Sequence, residues 1–127
     1  MQGKHLFEYA VIRVVPRVER EEFINVGIVL YCRDLKYLGC LFTVNQKKIQ
    51  SICGDVDCRE VEDHLKSFER ISKGDKEGGP IALLDLASRF RWLTATRSTV
   101  VQTSKVHPGF LNDPKTTLEK LNQQLVL

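Results

Sequence analysis

Apolar residues first alternate along this chain and only later recur at helical spacing, so the pattern predicts strands followed by helices. From Leu6 to Val15, Phe7, Tyr9, Val11, Arg13 and Val15 take one face while Leu6, Glu8, Ala10, Ile12 and Val14 take the other. A strand apolar on both sides is central or well covered, and Pro16 ends it by withholding a ladder donor. After the charged connection Arg17–Glu22, the run Glu22-Phe23-Ile24-Asn25-Val26-Gly27-Ile28-Val29-Leu30-Tyr31 enters polar and becomes almost unbroken apolar. Its β-branched content and Gly27 favour a buried strand over a helix. Arg33-Asp34-Leu35-Lys36 is a polar turn, and Tyr37 to Val44 returns as a third strand, completing a β-hairpin. Should the register set Gly39 near Val29, Gly27 and Gly39 share a face and leave a bare patch for a helix or a ligand.

Helical signals follow. Asn45 caps a short helix through Ile52, and Asp57-Cys58-Arg59-Glu60 has the form of a capping box. Val61, Leu65, Phe68 and Ile71 then recur along one helix face. Lys73–Gly79 reads as a solvated loop without a phosphate-loop pattern. Pro80 suits the first turn of a third helix burying Ile81, Leu84, Ala87 and Phe90. Arg91–Arg97, which holds the only Trp, is a transition. Ser98–Val106 alternates and predicts a fourth strand, and His107-Pro108-Gly109 predicts a turn. Asp113-Pro114 supplies an N-cap and a first-turn proline, and Leu118, Leu121 and Leu125 form the stripe of a C-terminal helix. The chain therefore reads as one α+β domain over residues 1–127: an antiparallel sheet of about four strands with helices packed on at least one face. The last strand is expected beside the first or at an edge.

Composition narrows the function little. The chain carries 19 basic and 16 acidic residues for a net charge of +3, well short of the basic density of a dedicated nucleic-acid binder. Its apolar runs are too short to span a bilayer, and Met1–His5 leads into the first strand without the apolar segment of a secretory signal. A cytoplasmic location is expected. Cys32, Cys40, Cys53 and Cys58 are spaced C-x7-C-x12-C-x4-C, which lacks a C-x2-C knuckle, so free thiols and no bound metal or other cofactor are expected.

No familiar catalytic pattern is present: neither G-x-S-x-G, nor a Walker A sequence, nor H-E-x-x-H, nor G-x-G-x-x-G. Ser104, His107 and Asp113 are the residue types of a hydrolytic triad, but Asp113 is better used as a helix cap, and a triad is a matter of geometry. A second constellation is polar. Arg13 lies within an apolar face and must reach solvent at an edge or meet an acid. Glu22 and Asn25 stand before the neighbouring strand, and Arg91 and Arg97 before the fourth. Together these five could form a basic pocket with one carboxylate, suited to a phosphate or a partner's acidic group. Alternatively, Arg13 and Glu22 form a structural pair while Asn25 ties down the strand entry.

These residues resemble a bacterial domain family of unknown function. Its members open on Y-x-V-[IL]-R-x-x-P, here Tyr9 to Pro16, and continue with E-[EF]-x-N-V-G-[IV], here Glu22 to Ile28. A Ser-containing strand and a D-P helix near the C-terminus, as in Ser98–Ser104 and Asp113-Pro114, are also similar. The family has no established activity. Some members are encoded beside a HipA-like kinase, and the resemblance thus implies a non-enzymatic interaction module with a kinase-like partner. The alternative is a nucleotide- or nucleic-acid-binding or hydrolysing domain using the Arg/Glu pocket.

Overall fold

A computed structural model describes residues 4–16, 22–43, 45–52, 58–97 and 99–127. The elements run β1 (His5–Val14), β2 (Ile24–Cys32), β3 (Tyr37–Phe42), α1 (Gln46–Ile52), α2 (Cys58–Lys73), α3 (Leu86–Leu93), β4 (Val101–Thr103), β5 (His107–Leu111) and α4 (Pro114–Leu125), with two 3₁₀ turns at Lys76–Gly78 and Pro80–Leu83. The five strands form one antiparallel sheet in the order β3-β2-β1-β4, and β5 also pairs with β1. The predicted α+β class is the observed one.

Because β1 is apolar on both sides, the sheet has two cores. Ala10, Ile12, Val14, Val29 and the half-buried Cys40 and Phe42 pack with Val61, Leu65, Phe68 and Ile71 of α2 and Phe90 and Leu93 of α3. On the opposite face Phe7, Val11, Ile28, Leu30 and Cys32 pack with Leu118 and Val126 at α4. Helices therefore cover both faces. The α2 stripe is buried as its spacing predicts. Helix α2 then ends where Gly74 takes a positive φ of 71°, with its N–H on the Ile71 carbonyl at 3.2 Å and that of Asp75 on Arg70 at 2.9 Å, a Schellman stop. Arg89 reinforces the stop by donating to the Ile71 carbonyl at 3.0 Å and the Ser72 carbonyl at 3.2 Å. The proposed cap Asp57 lies outside the described residues, whereas Asn45 caps α1 through Lys48 N–H at 3.2 Å.

Several expectations need correction. The third helix is two pieces: the 3₁₀ turn from Pro80 ends at Leu84, which is extended and exposed, and α3 starts afresh under the Asp85 cap, which accepts from Ser88 N–H at 3.2 Å. Ala82 is buried in place of Leu84, because the break turns the register. Arg91 and Trp92 are thus helical, not transitional. In α4 the stripe runs through Leu118, Asn122 and Val126, while Leu125 is exposed. Strand β3 stops at Phe42. Gly39 opposes Leu30 while Gly27 opposes Phe42. The register is thus one residue from the one that aligned the glycines, and they lie on opposite faces. No shared bare patch forms.

The largest correction is at β4 and β5. The expected strand from Ser98 to Val106 shrinks to Val101–Thr103, and His107-Pro108-Gly109, expected as a turn, begins a fifth strand. Both run along the same edge of β1. Thr103 opposes Ile12 and His107 opposes Tyr9, so Ser104, Lys105 and Val106 face only Ala10 and Val11. The extra residue makes a bulge, and Ser104 repairs it. Its N–H donates to the Val11 carbonyl at 2.8 Å, its Oγ accepts from Val11 N–H at 2.8 Å, and its hydroxyl donates to the Lys105 carbonyl at 2.9 Å. Pro108 fits in β5 because an edge strand has N–H groups facing outward that need no ladder partner.

Candidate functional site

The five residues of the proposed pocket are distributed over three places. Arg13 and Asn25 are cross-strand partners on the α4 face, brought opposite one another by a bulge at Val26. Arg13 is paired on its other side with Gln102 of β4, so it is not at an edge. Its guanidinium lies over the Phe23 ring, 4.0 Å from the centroid, a cation–π contact. Glu22 is half-buried at the same entry to β2. Asn25 donates from Nδ2 to the Leu125 carbonyl at 3.1 Å, tying the strand entry to the last turn of a helix 100 residues away. Asn25→Ala should therefore lower stability by about 1 kcal/mol, through an orphaned helix-end carbonyl, and should fray the last turn of α4. Urea melts together with amide exchange at Val126 and Leu127 would check this; parent-like values in both would refute it.

Arg97 belongs to the other face. It donates to the Trp92 carbonyl, and its guanidinium stacks 4.5 Å from the Trp92 ring centroid and 5.5 Å from that of Phe68. Burial lowers its pKa. This arginine is a clasp between α2 and α3. Arg91 points elsewhere, into a cleft of about 640 Å³ on the α3 face, lined with it by Glu8, Tyr31, Arg33, Lys36 and Asp85. Glu8 and Arg13 are separated by about 17 Å along β1, and they project from opposite faces.

The triad types are likewise engaged singly. The Ser104 hydroxyl is buried in the bulge, and Asp113 caps α4 by accepting from Thr116 N–H at 3.2 Å. Its bonds with Thr116 hold the Asp113 carboxyl below the usual range. His107 is exposed and tilts against Tyr9, with ring centroids 5.4 Å apart. Among the described residues no three His, Cys, Asp or Glu side chains converge as metal ligands. Cys32 and Cys40 are free and point to opposite faces of the sheet. Burial pushes the Cys40 thiol up to about 12, so it stays protonated and weakly nucleophilic at neutral pH.

What reasoning from sequence missed is the cleft itself. Arg33 and Lys36 read only as a polar turn, yet the left-handed Lys36 (φ 51°) closes the hairpin beside α3. Tyr31 stacks on Phe90 at 5.3 Å between centroids, and it forms the cleft's apolar wall. Asp85 carried a signal, Asp-x-x-Ser before an apolar run, that marks a helix start. Next to Glu8 on the same face, the cross-strand partners Leu6 and Phe110 are 53% and 71% exposed.

A family model matches residues 9–126, from β1 to the last turn of α4. The chain belongs to DUF3037, a family of proteins of unknown function. The DUF3037 match takes in Arg13, Glu22, Asn25, Arg91, Arg97, Ser104 and Phe110, while Leu6 and Glu8 precede it. No curated protein and no solved structure matches the chain. Among the described residues of this DUF3037 chain, no helix is long and apolar enough to cross a membrane.

Proposed function

We propose that this chain is a non-enzymatic protein-interaction module whose contact surface is the open part of the α3 face, where Leu6 and Phe110 meet the cleft. The observation that carries the reading is their pairing. Two large apolar side chains stand side by side, more than half exposed, on a face whose remaining strands are roofed by α2 and α3. Isolated exposed apolar residues are ordinary, whereas a contiguous pair rimmed by charges of both signs has the make-up of an interface core and rim. Glu8, two residues from Leu6 on the same face, belongs to the cleft with Asp85, Arg33, Lys36 and Arg91, and Lys4 and Asp113 line a groove with Phe110, so charges of both signs flank the pair. The partner suggested by the family resemblance is a HipA-like kinase encoded nearby. Co-purification with that neighbour is expected, and Phe110→Ser should abolish it while leaving the melt unchanged. A failure to associate at concentrations well above micromolar sinks the reading.

One observation favours a second reading, a nucleotide- or nucleic-acid-binding or hydrolysing site: Arg33, Lys36 and Arg91 line one cleft together with Glu8. Phosphate contacts make affinity fall with salt, so labelled nucleotides, RNA and single-stranded DNA should bind at low salt and release at high salt. No binding at low salt removes it.

A further inference from the structure

Among the described residues the sheet has two edges with no further strand, and they are treated differently. The β5 edge carries Pro108, a residue that removes a donor and discourages strand addition. The β3 edge, Tyr37-Leu38-Gly39-Cys40-Leu41-Phe42, has neither a proline nor a charge. Its free polar groups follow from the register. Thr43 N–H donates to the Val26 carbonyl at 2.7 Å, so Thr43 and Val26 are a hydrogen-bonded pair. Alternation along the antiparallel ladder then makes Leu41, Gly39 and Tyr37 bond β2, and turns the N–H and C=O groups of Leu38, Cys40 and Phe42 outward. Among the described residues nothing accepts or donates to them. A groove of about 260 Å³ follows this edge, walled by Ser72 and Lys73 of α2 on one side and by Lys115, Leu118 and Glu119 of α4 on the other.

We infer that the β3 edge takes a second copy of this chain, adding β3 to β3 antiparallel about a twofold axis at Cys40. In that register Cys40 pairs with its own copy and Leu38 with Phe42, and about six backbone hydrogen bonds form. Each face keeps its side, so α2 meets α2 and α4 meets α4. Charge selects a copy over an unrelated strand. A base and an acid four residues apart stand on each side: Lys115 and Glu119 line the α4 wall, and Lys73 of the α2 wall is joined at 3.2 Å to Glu69 behind it. Lys115 and Glu119 both line the groove, and Glu69 and Lys73 both act on the Cys40 thiol at the proposed axis. A twofold axis sets base against acid on both walls, making the surface self-complementary. With Glu69 bonded to Lys73 the surface beside the strand is charge-balanced, where a net-basic one would call for an acidic peptide. The Leu6–Phe110 surface lies on β1 and β5, separated from this edge by β2, and partner binding there is an independent matter.

Sedimentation velocity and light scattering on the full chain test the inference. A dimer is expected, with the amides of Leu38, Cys40 and Phe42 protected from exchange. Cys40→Pro removes an outward N–H that the isolated fold does not use, and should give a folded monomer. Lys73→Glu places like charges across the axis and should weaken dimerisation tenfold or more, while Glu69→Lys combined with Lys73→Glu restores it. This pair of variants decides the matter even if Cys40→Pro fails to fold, since both side chains are solvent-facing. A parent chain that stays monomeric well above micromolar concentration overturns the inference. So does a dimer indifferent to Lys73→Glu, or a monomer that captures an unrelated extended peptide along β3.

Discussion

Gly27→Ala should cost about 3 kcal/mol, the upper range for forcing an extra carbon into a packed interior. A Cβ at this position would lie 2.3 Å from the Leu41 carbonyl oxygen and 2.8 Å from the Phe42 Cβ. The obstacle is backbone, in the strand directly paired with it, so relief requires β2 and β3 to move apart. Val26 bulges just before this point, and the close approach of β3 is made where the bulge ends. Gly39 provides the control. A Cβ there meets the Tyr37 hydroxyl at 2.4 Å, the far end of a side chain that can swing away, so Gly39→Ala should cost less than half as much. Urea denaturation of both variants would show a large shift for the first and a small one for the second. Equal shifts would mean that the β2–β3 approach is not the constraint.

Ser104→Ala is expected to cost about 2 kcal/mol, by leaving a buried donor without an acceptor. The donor is the Val11 N–H, in the middle of the strand on which the sheet is assembled. The bulge deprives it of a carbonyl, and the Ser104 Oγ at 2.8 Å stands in. Unfolding midpoints together with exchange of the Val11 amide would test this, with exchange rising more than the global loss accounts for. If Ser104→Ala melted like the parent, the hydroxyl would be dispensable to the bulge and free for other chemistry. In the fold as it stands, that hydroxyl is occupied on both its donor and acceptor sides.

Features decided within a few residues were legible in the chain. The double-sided alternation of Leu6–Val15 implied a central strand, and β1 is paired on both edges by β2, β4 and β5. Val61, Leu65, Phe68 and Ile71 marked the buried stripe of α2, and Asn45 and Asp113 marked helix starts. Misreadings arose wherever a backbone break reset the phase. Leu84 looked helical because its spacing from Ile81 is helical, but Asp85 takes up a capping conformation and α3 begins again. His107-Pro108-Gly109 has turn composition, and became strand because it lies at an edge where β1 offers bonds to one side only.

The candidate site was less legible, for a related reason. Arg13 stands out because it interrupts an apolar strand face, and Glu22, Asn25, Arg91 and Arg97 join it because they precede expected strands in the sequence. Which residues meet, however, depends on pairing register and on face. A single residue inserted at Val26 puts Asn25 opposite Arg13, and the single extra residue at Ser104–Val106 sets how β5 continues along β1. Arg91 goes to the cleft because the Asp85 restart fixes the rotation of α3, and Arg97 folds back on Trp92. Alternation, capping and amphipathic spacing are local consequences of backbone geometry, and each can be read from a few neighbouring residues. Register and bulge position are set by long-range ladder bonds, and those bonds alone decided that the polar groups would be dispersed and that Leu6 and Phe110 would stand together in the open.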